Sequence, residues 1–164
     1  MEKILVLSDI HGGVQYAKAA LREHPECKTV IFLGDGARHV EDLEKTAPDK
    51  VIFSVMGNCD TCLDGVRDLE AVLELSGHRI FICHGHTRNA KYGHGSLIAA
   101  AKEKHADIVL FGHTHAVCDK YDSDSGVYLF NPGSIGKPYL GPNTYGILSL
   151  DEKNVLFSVG ETEL

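Results

Sequence analysis

No stretch of this 164-residue sequence approaches the ~20 consecutive apolar residues that a membrane span requires. The short apolar run near the N-terminus is interrupted by Asp9, and no small-residue cleavage site follows it. A cytoplasmic location is therefore expected. A disulfide framework is missing as well. The five cysteines, Cys27, Cys59, Cys62, Cys83 and Cys118, are odd in number and scattered, which is the pattern of reduced thiols. Nor is there an excess of positive charge. Sixteen Lys and Arg against 23 Asp and Glu leave a formal net charge of −7, which argues against a protein that grips a nucleic-acid polymer through a basic surface. A small anionic substrate stays open, because bound metal ions invert the local field. Repeats, low-complexity segments and composition shifts are also lacking, so residues 1–164 read as one domain, long enough to bury roughly 70% of its unfolded surface.

The unusual abundance is in histidine, with ten residues. Histidine is the commonest metal ligand, so their placement becomes the main question. Five short runs rich in Val, Ile, Leu and Phe, at 4–7, 30–33, 51–55, 80–83 and 108–111, read as buried strands. Helical patterns lie between them at about 14–23, 40–45 and 95–104. Strands alternating with helices indicate βαβ units around a parallel or mixed sheet. In the C-terminal third, 117–121 and 127–130 flank a turn-rich Asp-Ser-Asp-Ser-Gly and read as a hairpin, as do 145–150 and 155–159. Residues 69–75 are expected to pair with a strand starting at Arg79 across Ser76-Gly77-His78. The economical arrangement is a two-sheet sandwich with outer helices.

Every one of the five runs delivers a polar ligand type at its carboxyl end. The first leads into Asp9 and His11, the second into Asp35, the third into Asn58, the fourth into His84, and the fifth into His113 and His115. Ligands of open α/β sheets bind beyond the carboxyl ends of the strands, so these side chains are expected to converge. Asp9 and His11 are two apart, as are His113 and His115, which in extended backbone would point to one side. The set offers oxygen and nitrogen donors for two divalent ions and needs no thiolate.

Asp9-Ile10-His11, Gly34-Asp35, Gly57-Asn58-Cys59-Asp60, His84-Gly85-His86 and Gly112-His113-Thr114-His115, in that order, resemble the calcineurin-like metallophosphoesterase superfamily. The length and Asn131-Pro132-Gly133-Ser134 are similar to its small single-domain phosphodiesterase branch. The resemblance implies an α/β fold of four layers, α/β/β/α, with two mixed β-sheets face to face. It also implies that Asp9, His11 and His115 bind a first metal, that Asp35 bridges, and that Asn58, His84 and His113 complete a second site. Manganese is the first expectation for the two ions, with nickel, cobalt, iron or zinc as alternatives. The implied activity is hydrolysis of a small phosphodiester by a metal-bridging hydroxide attacking phosphorus. A phosphomonoesterase, or a catalytically weak scaffold on the same fold, is the competing reading, and a homo-oligomer stays open.

One position departs from the pattern. Many superfamily members carry a histidine after the ligand asparagine, thought to protonate the leaving alkoxide, with the next acid orienting it. Here Cys59 stands there beside Asp60, so Cys59 or His86 becomes the expected proton donor, with Asn58 and Asp60 counted among the catalytic residues. His86 either faces substrate or hydrogen-bonds a ligand. Arg38 and Arg88 follow ligand-bearing loops and are the expected phosphate contacts, whereas Arg67, Lys91 and Lys137 read as surface charge. His24, His39, His78, His94 and His105 read as solvated surface histidines. The C-x-x-C spacing of Cys59 and Cys62 has no second pair to match it and reads as coincidence.

Overall fold

The computed structural model describes all residues from Met1 to Leu164. The five apolar runs become β1 (Glu2–Leu7), β2 (Thr29–Phe32), β3 (Val51–Ser54), β5 (His78–Cys83) and β6 (Ile108–Leu110). The hairpins supply β4 (Glu70–Leu75), β7 (Val117–Asp122), β8 (Val127–Pro132), β9 (Asn143–Asp151) and β10 (Asn154–Thr162). Three helices, α1 (Val14–Glu23), α2 (Val40–Thr46) and α3 (Gly95–Glu103), fall within a residue or so of the expected bounds.

The strands form two five-stranded sheets, ordered β10-β9-β1-β2-β3 and β4-β5-β6-β8-β7. Both are mixed: in one, β1, β2 and β3 run parallel and β9 and β10 join antiparallel at one side, and in the other, β5, β6 and β8 are parallel between antiparallel edges β4 and β7. Strand periodicity sorts the side chains into layers, because successive residues face opposite sides of a sheet. Ile4, Val6, Ile31, Ile80, Ile82, Ile108 and Leu110 fill the space between the sheets. The intervening Leu5, Leu7, Val30 and Phe32 meet Ala17, Ala20, Leu21 and Leu43 of α1 and α2. On the far side, Phe81, Cys83 and Val109 meet Leu97, Ala100 and Ala101 of α3. The four-layer α/β sandwich is the outcome, and its strands have both faces buried, which is why they read as continuous apolar runs.

Two expectations change. The turn between β4 and β5 contains only Ser76 and Gly77, since Leu75 pairs directly with His78. Their φ values of 50° and 85° are those a two-residue hairpin of matching twist demands. His78 is thus a strand residue, not a solvated one. Its Nδ1 lies 2.5 Å from Asp107 and its Nε2 2.8 Å from the Asp151 carbonyl, which ties the two sheets together. Burial opposes charge on this ring, but Asp107 and the Asp151 carbonyl outweigh it and raise the pKa. His24 and His39 are also half-buried, the first 2.8 Å from the Tyr145 hydroxyl and the second 3.1 Å from the His11 carbonyl. Only His105 of this group is fully solvent-facing.

Candidate metal centre

The loops leaving β1, β2, β3, β5 and β6 meet at one end of the sandwich, and their backbone is unusual. Asp9, His11, Asp35, His113 and His115 have φ of 55°, 46°, 60°, 69° and 57°. Left-handed backbone costs an L-residue roughly 1–2 kcal/mol, so the surroundings must enforce it, as they do at functional sites. They do so by tying the loops to one another. The Asp9 amide donates to the Gly34 carbonyl (3.0 Å), the His11 amide to Asp35 (2.9 Å) and the Gly112 amide to His84 (2.9 Å). The expectation that Asp9 and His11, and likewise His113 and His115, share a side because the chain is extended is therefore corrected. β1 ends at Leu7, and all four residues reach the site through left-handed turns.

Asp9, His11, Asp35 and His115 place one ligand atom each within 4.8 Å of the others. Asp35 Oδ2 lies 3.7 Å from His11 Nε2 and 3.3 Å from His84 Nε2, so this carboxylate faces two groups of donors. Asn58 Oδ1 is 3.1 Å from His84 Nε2, and the His113 ring is centred 5.1 Å from that of His84. The seven expected side chains thus gather around Asp35.

The donor set fits divalent cations. Asp9 is fully buried; its Oδ2 accepts from the Ser8 hydroxyl (2.6 Å) and the His113 amide (3.1 Å), while its Oδ1 has no backbone or hydroxyl donor and meets only imidazoles, His115 Nε2 at 3.0 Å and His11 Nε2 at 3.8 Å. A buried carboxylate oxygen with so little compensation is costly unless a cation meets it. Facing it, His11 Nε2 and His115 Nε2 stand 3.2 Å apart. Two ligands at metal–nitrogen distances of ~2.0–2.1 Å have about that separation. The Lys137 carbonyl takes His115 Nδ1 (2.5 Å) and the Leu33 carbonyl takes His84 Nδ1 (2.7 Å). Each carbonyl fixes the proton on Nδ1 and leaves the Nε2 lone pair directed at the carboxylates.

For His113 and His11, protonation agrees with ligand chemistry. Burial, reinforced by His84, pushes His113 down to about 4, and burial lowers His11 despite the nearby Asp35 and Asp9. Both rings are neutral at pH 7. Burial alone would raise Asp35, but His84 and the Cys59 amide hold its carboxyl well below the usual range. His115 is raised by Asp9, and His84 is raised because Asp35 and Asp9 outweigh its burial. Space is equally restricted. A Cβ on Gly57 would lie 2.0 Å from Asp35 Oδ1, and one on Gly112 would lie 1.9 Å from Ser8 Oγ.

Several expected roles shift. Asp60 has no imidazole to orient and is occupied otherwise. Its Oδ1 accepts from the amides of Gly36 (2.8 Å) and Ala37 (2.9 Å), and its Oδ2 from those of Asp35 (2.7 Å) and Gly57 (2.8 Å). It is a clamp on the loop that carries Asp35. Arg88, expected at phosphate, is paired through Nε (2.6 Å) and Nη2 (2.7 Å) with both oxygens of Glu70. That bidentate pair takes up its planar fork. Arg38 is exposed and lines a recess of ≈290 Å³ with His11, Asp35, Cys59 and Asp64. Cys59 donates its amide to Asp35 Oδ1 (2.8 Å), while burial and Asp35 raise its thiol pKa. His86 lies beside His84 and His113, and its buried Nδ1 has no partner.

Three supporting residues carry no role in the sequence reading. Ser8 holds Asp9 Oδ2. Buried Ser134 donates to the Asp9 carbonyl (2.8 Å), and buried Asn131 donates to the Gly112 carbonyl (2.9 Å). The Asn131-Pro132-Gly133-Ser134 block was the available signal for the latter two.

The profile of the calcineurin-like phosphoesterase superfamily domain matches residues 2–153. A probable metallophosphoesterase of Bacillus subtilis, YsnB, is 30% identical over 151 residues, covering 90% of this chain and 84% of its own. The phosphodiesterase MJ0936 of Methanocaldococcus jannaschii is 26% identical over 166 residues, covering 92% and 95%. Among solved structures, a predicted phosphoesterase of Streptococcus pneumoniae superposes with a TM-score of 0.82 over 98% of this chain and 89% of its own, at 24% identity.

Proposed function

The chain belongs to the calcineurin-like phosphoesterase superfamily, and on that premise we propose that it is a cytoplasmic phosphodiesterase for small diesters that works with two divalent cations. Asp9, His11, Asp35 and His115 hold one cation, and Asp35, Asn58, His84 and His113 the other. Manganese is the proposed ion, in keeping with oxygen and nitrogen donors. The observation that carries this reading is the buried Asp9 Oδ1, which meets no backbone or hydroxyl donor and faces the imidazole nitrogens of His115 and His11 at 3.0 and 3.8 Å.

When bound, two such cations supply Lewis acidity and make hydroxide available at neutral pH. The chain's own residues do the rest. The left-handed loops fix the donors before substrate arrives, so no reorganisation is needed during reaction. Arg38 presents its guanidinium to the phosphoryl oxygens. Two recesses border the centre, one lined by Arg38 and Cys59 and the other by His113, His115 and Tyr139. Two recesses suit the two ester arms of a diester, and the M. jannaschii relative is named a phosphodiesterase.

Proton delivery to the leaving group is the weak step. The Cys59 thiol is raised above its ordinary value by burial and Asp35, so it gives up its proton reluctantly. His86 is neutral at pH 7, because burial and His84 lower its pKa. Diesters with good leaving groups are therefore favoured. Cys59→His is expected to raise turnover of alkyl diesters on the order of 10²-fold, the range of general acid catalysis, and to change p-nitrophenyl esters little. Equal effects on both would reject the assignment.

The deciding experiment assays bis(p-nitrophenyl) phosphate and p-nitrophenyl phosphate after chelation and readdition of Mn²⁺, Ni²⁺, Co²⁺, Zn²⁺ or Mg²⁺. The expected result is diesterase activity lost on chelation and restored best by Mn²⁺, with the monoester a poorer substrate. No turnover with any metal would favour a scaffold, and preference for the monoester a phosphomonoesterase.

A further inference from the structure

The second recess has a different character from the first. Its volume is ≈500 Å³, and it is lined by Ala90, Lys91, Thr114 and Tyr139 beside the metal-centre residues His113 and His115. A phosphoryl group with a methyl substituent would leave most of it empty, whereas sites for small organic ligands run ~300–1,000 Å³. Lys91, read from the sequence as surface charge, lines the same recess as His113.

The two segments that wall the recess each carry exposed apolar side chains. Tyr92 is 90% exposed, Tyr139 77% and Leu140 83%. Tyr121 and Tyr145, by contrast, have ring partners, Tyr128 in a tilted contact and His24 through the hydroxyl. Of the exposed rings, Tyr139 is the one that lines the recess beside the metal centre. Tyr139 is also held in place. Its amide donates to the His115 carbonyl (3.3 Å), and His115 Nδ1 is hydrogen-bonded to the Lys137 carbonyl (2.5 Å). The backbone segment that orients a metal-centre histidine thus also carries Tyr139.

We propose that this recess is a subsite for the planar aromatic arm of a phosphodiester, a nucleoside or aryl alcohol stacked on Tyr139 with its phosphate side towards Lys91. The smaller recess, with Arg38, Asp60, Thr61 and Asp64, then receives the more polar arm. The substrate class narrows to diesters with at least one aromatic or nucleoside alcohol. This inference rests on the phosphodiesterase reading.

The test compares three diesters with a common non-aromatic 2,2,2-trifluoroethyl leaving group, its release followed by fluorine NMR, and a thymidine 5′, phenyl or ethyl second arm, on the full-length protein loaded with Mn²⁺. Stacking of a base on an aromatic side chain corresponds to about a tenfold preference or more. The thymidine and phenyl esters are expected to exceed the ethyl ester in kcat/KM by that factor. Tyr139→Ala should abolish the preference and Tyr139→Phe keep it, while Lys91→Ala lowers all three alike. A thymidine ester well above phenyl would identify the arm as a nucleoside, and equality of the two as any aryl alcohol. Calorimetric titration with thymidine 5′-monophosphate and ethyl phosphate reads the subsite without turnover, and Tyr139→Ala should weaken only the former. If the ethyl ester reacts as well as the others, or Tyr139→Ala lowers all three equally, the subsite is overturned and the diesterase stands. If no diester reacts in any metal, the phosphodiesterase reading falls, and equal binding of the two monophosphates would remove the subsite too. A concentration-dependent mass that drops in Tyr139→Ala, with no change in substrate preference, would assign the patch to a second copy of the chain and overturn the subsite.

Discussion

Asp9→Asn is expected to abolish metal-dependent activity, by on the order of 10³-fold or more, while leaving the metal-free protein as stable as the parent or more so. The two effects come from the same atoms. In the absence of a cation, Asp9 is a fully buried carboxylate whose Oδ1 meets only the imidazoles of His115 (3.0 Å) and His11 (3.8 Å), and a second buried carboxylate, Asp35, lies in the same cluster. Burying two carboxylates together with so little compensation typically costs a few kcal/mol. An asparagine keeps the oxygen that accepts from Ser8 and the His113 amide. It also turns an amide donor towards the imidazole lone pairs of His11 and His115, which are 3.2 Å apart. The variant should therefore melt no lower than the parent in chelator, and up to a few degrees higher. Added Mn²⁺ separates them. At about 100 times its dissociation constant a cation contributes roughly 2.7 kcal/mol to the parent, a shift of several degrees, and should contribute little to the variant. Melting curves in EDTA and in Mn²⁺ measure both. A variant that keeps the full metal-induced shift would mean that Asp9 is not a ligand.

The fold was legible wherever burial imposes a period. Runs such as 4–7 and 108–111 are apolar on both faces because a sheet and a helix layer cover them, and their ends are sharp because Ser8-Asp9 and Gly112-His113 follow. The gathering of Asp9, His11, Asp35 and His115 followed from the same rule, that parallel strands deliver their loops to one end. What could not be read are contacts made by backbone amides and carbonyls, which leave no periodic trace in the side chains. Asp60 looked like a partner for a missing histidine, yet it is bound by four amides. Arg88 looked free until β4 brought Glu70 beside it. His78 looked like turn surface because a two-residue turn and a three-residue turn differ by one position, and that position decides whether the ring meets Asp107. The left-handed backbone at Asp9 and His11 was likewise invisible, since those residues are there for their side chains and not for their conformational ease.

Asp60→Ala is expected to destabilise the protein by about 3–5 kcal/mol and to cost activity through Asp35, not through proton transfer. The carboxylate is the common acceptor for the amides of Asp35, Gly36, Ala37 and Gly57, at 2.7–2.9 Å. Leaving donors unsatisfied costs ~1–3 kcal/mol each when they are buried, and water entering this part-buried loop offsets some of that. Asp60→Asn should be intermediate, because one oxygen still accepts while the amide group presents donors to donors. The loop also loses what keeps Asp35 at φ 60° and Gly36 at φ 152°. A displacement of even ~1 Å at Asp35 can cost about 10²-fold in rate. The leaving group distinguishes this role from general acid catalysis. A loop clamp predicts the same fractional loss for p-nitrophenyl and alkyl diesters, together with weaker Mn²⁺ binding by calorimetry. A residue that orients a proton donor predicts a loss that grows as the leaving group becomes poorer, at unchanged metal affinity. The second pattern would return Asp60 to proton transfer and leave the four amide contacts as packing alone.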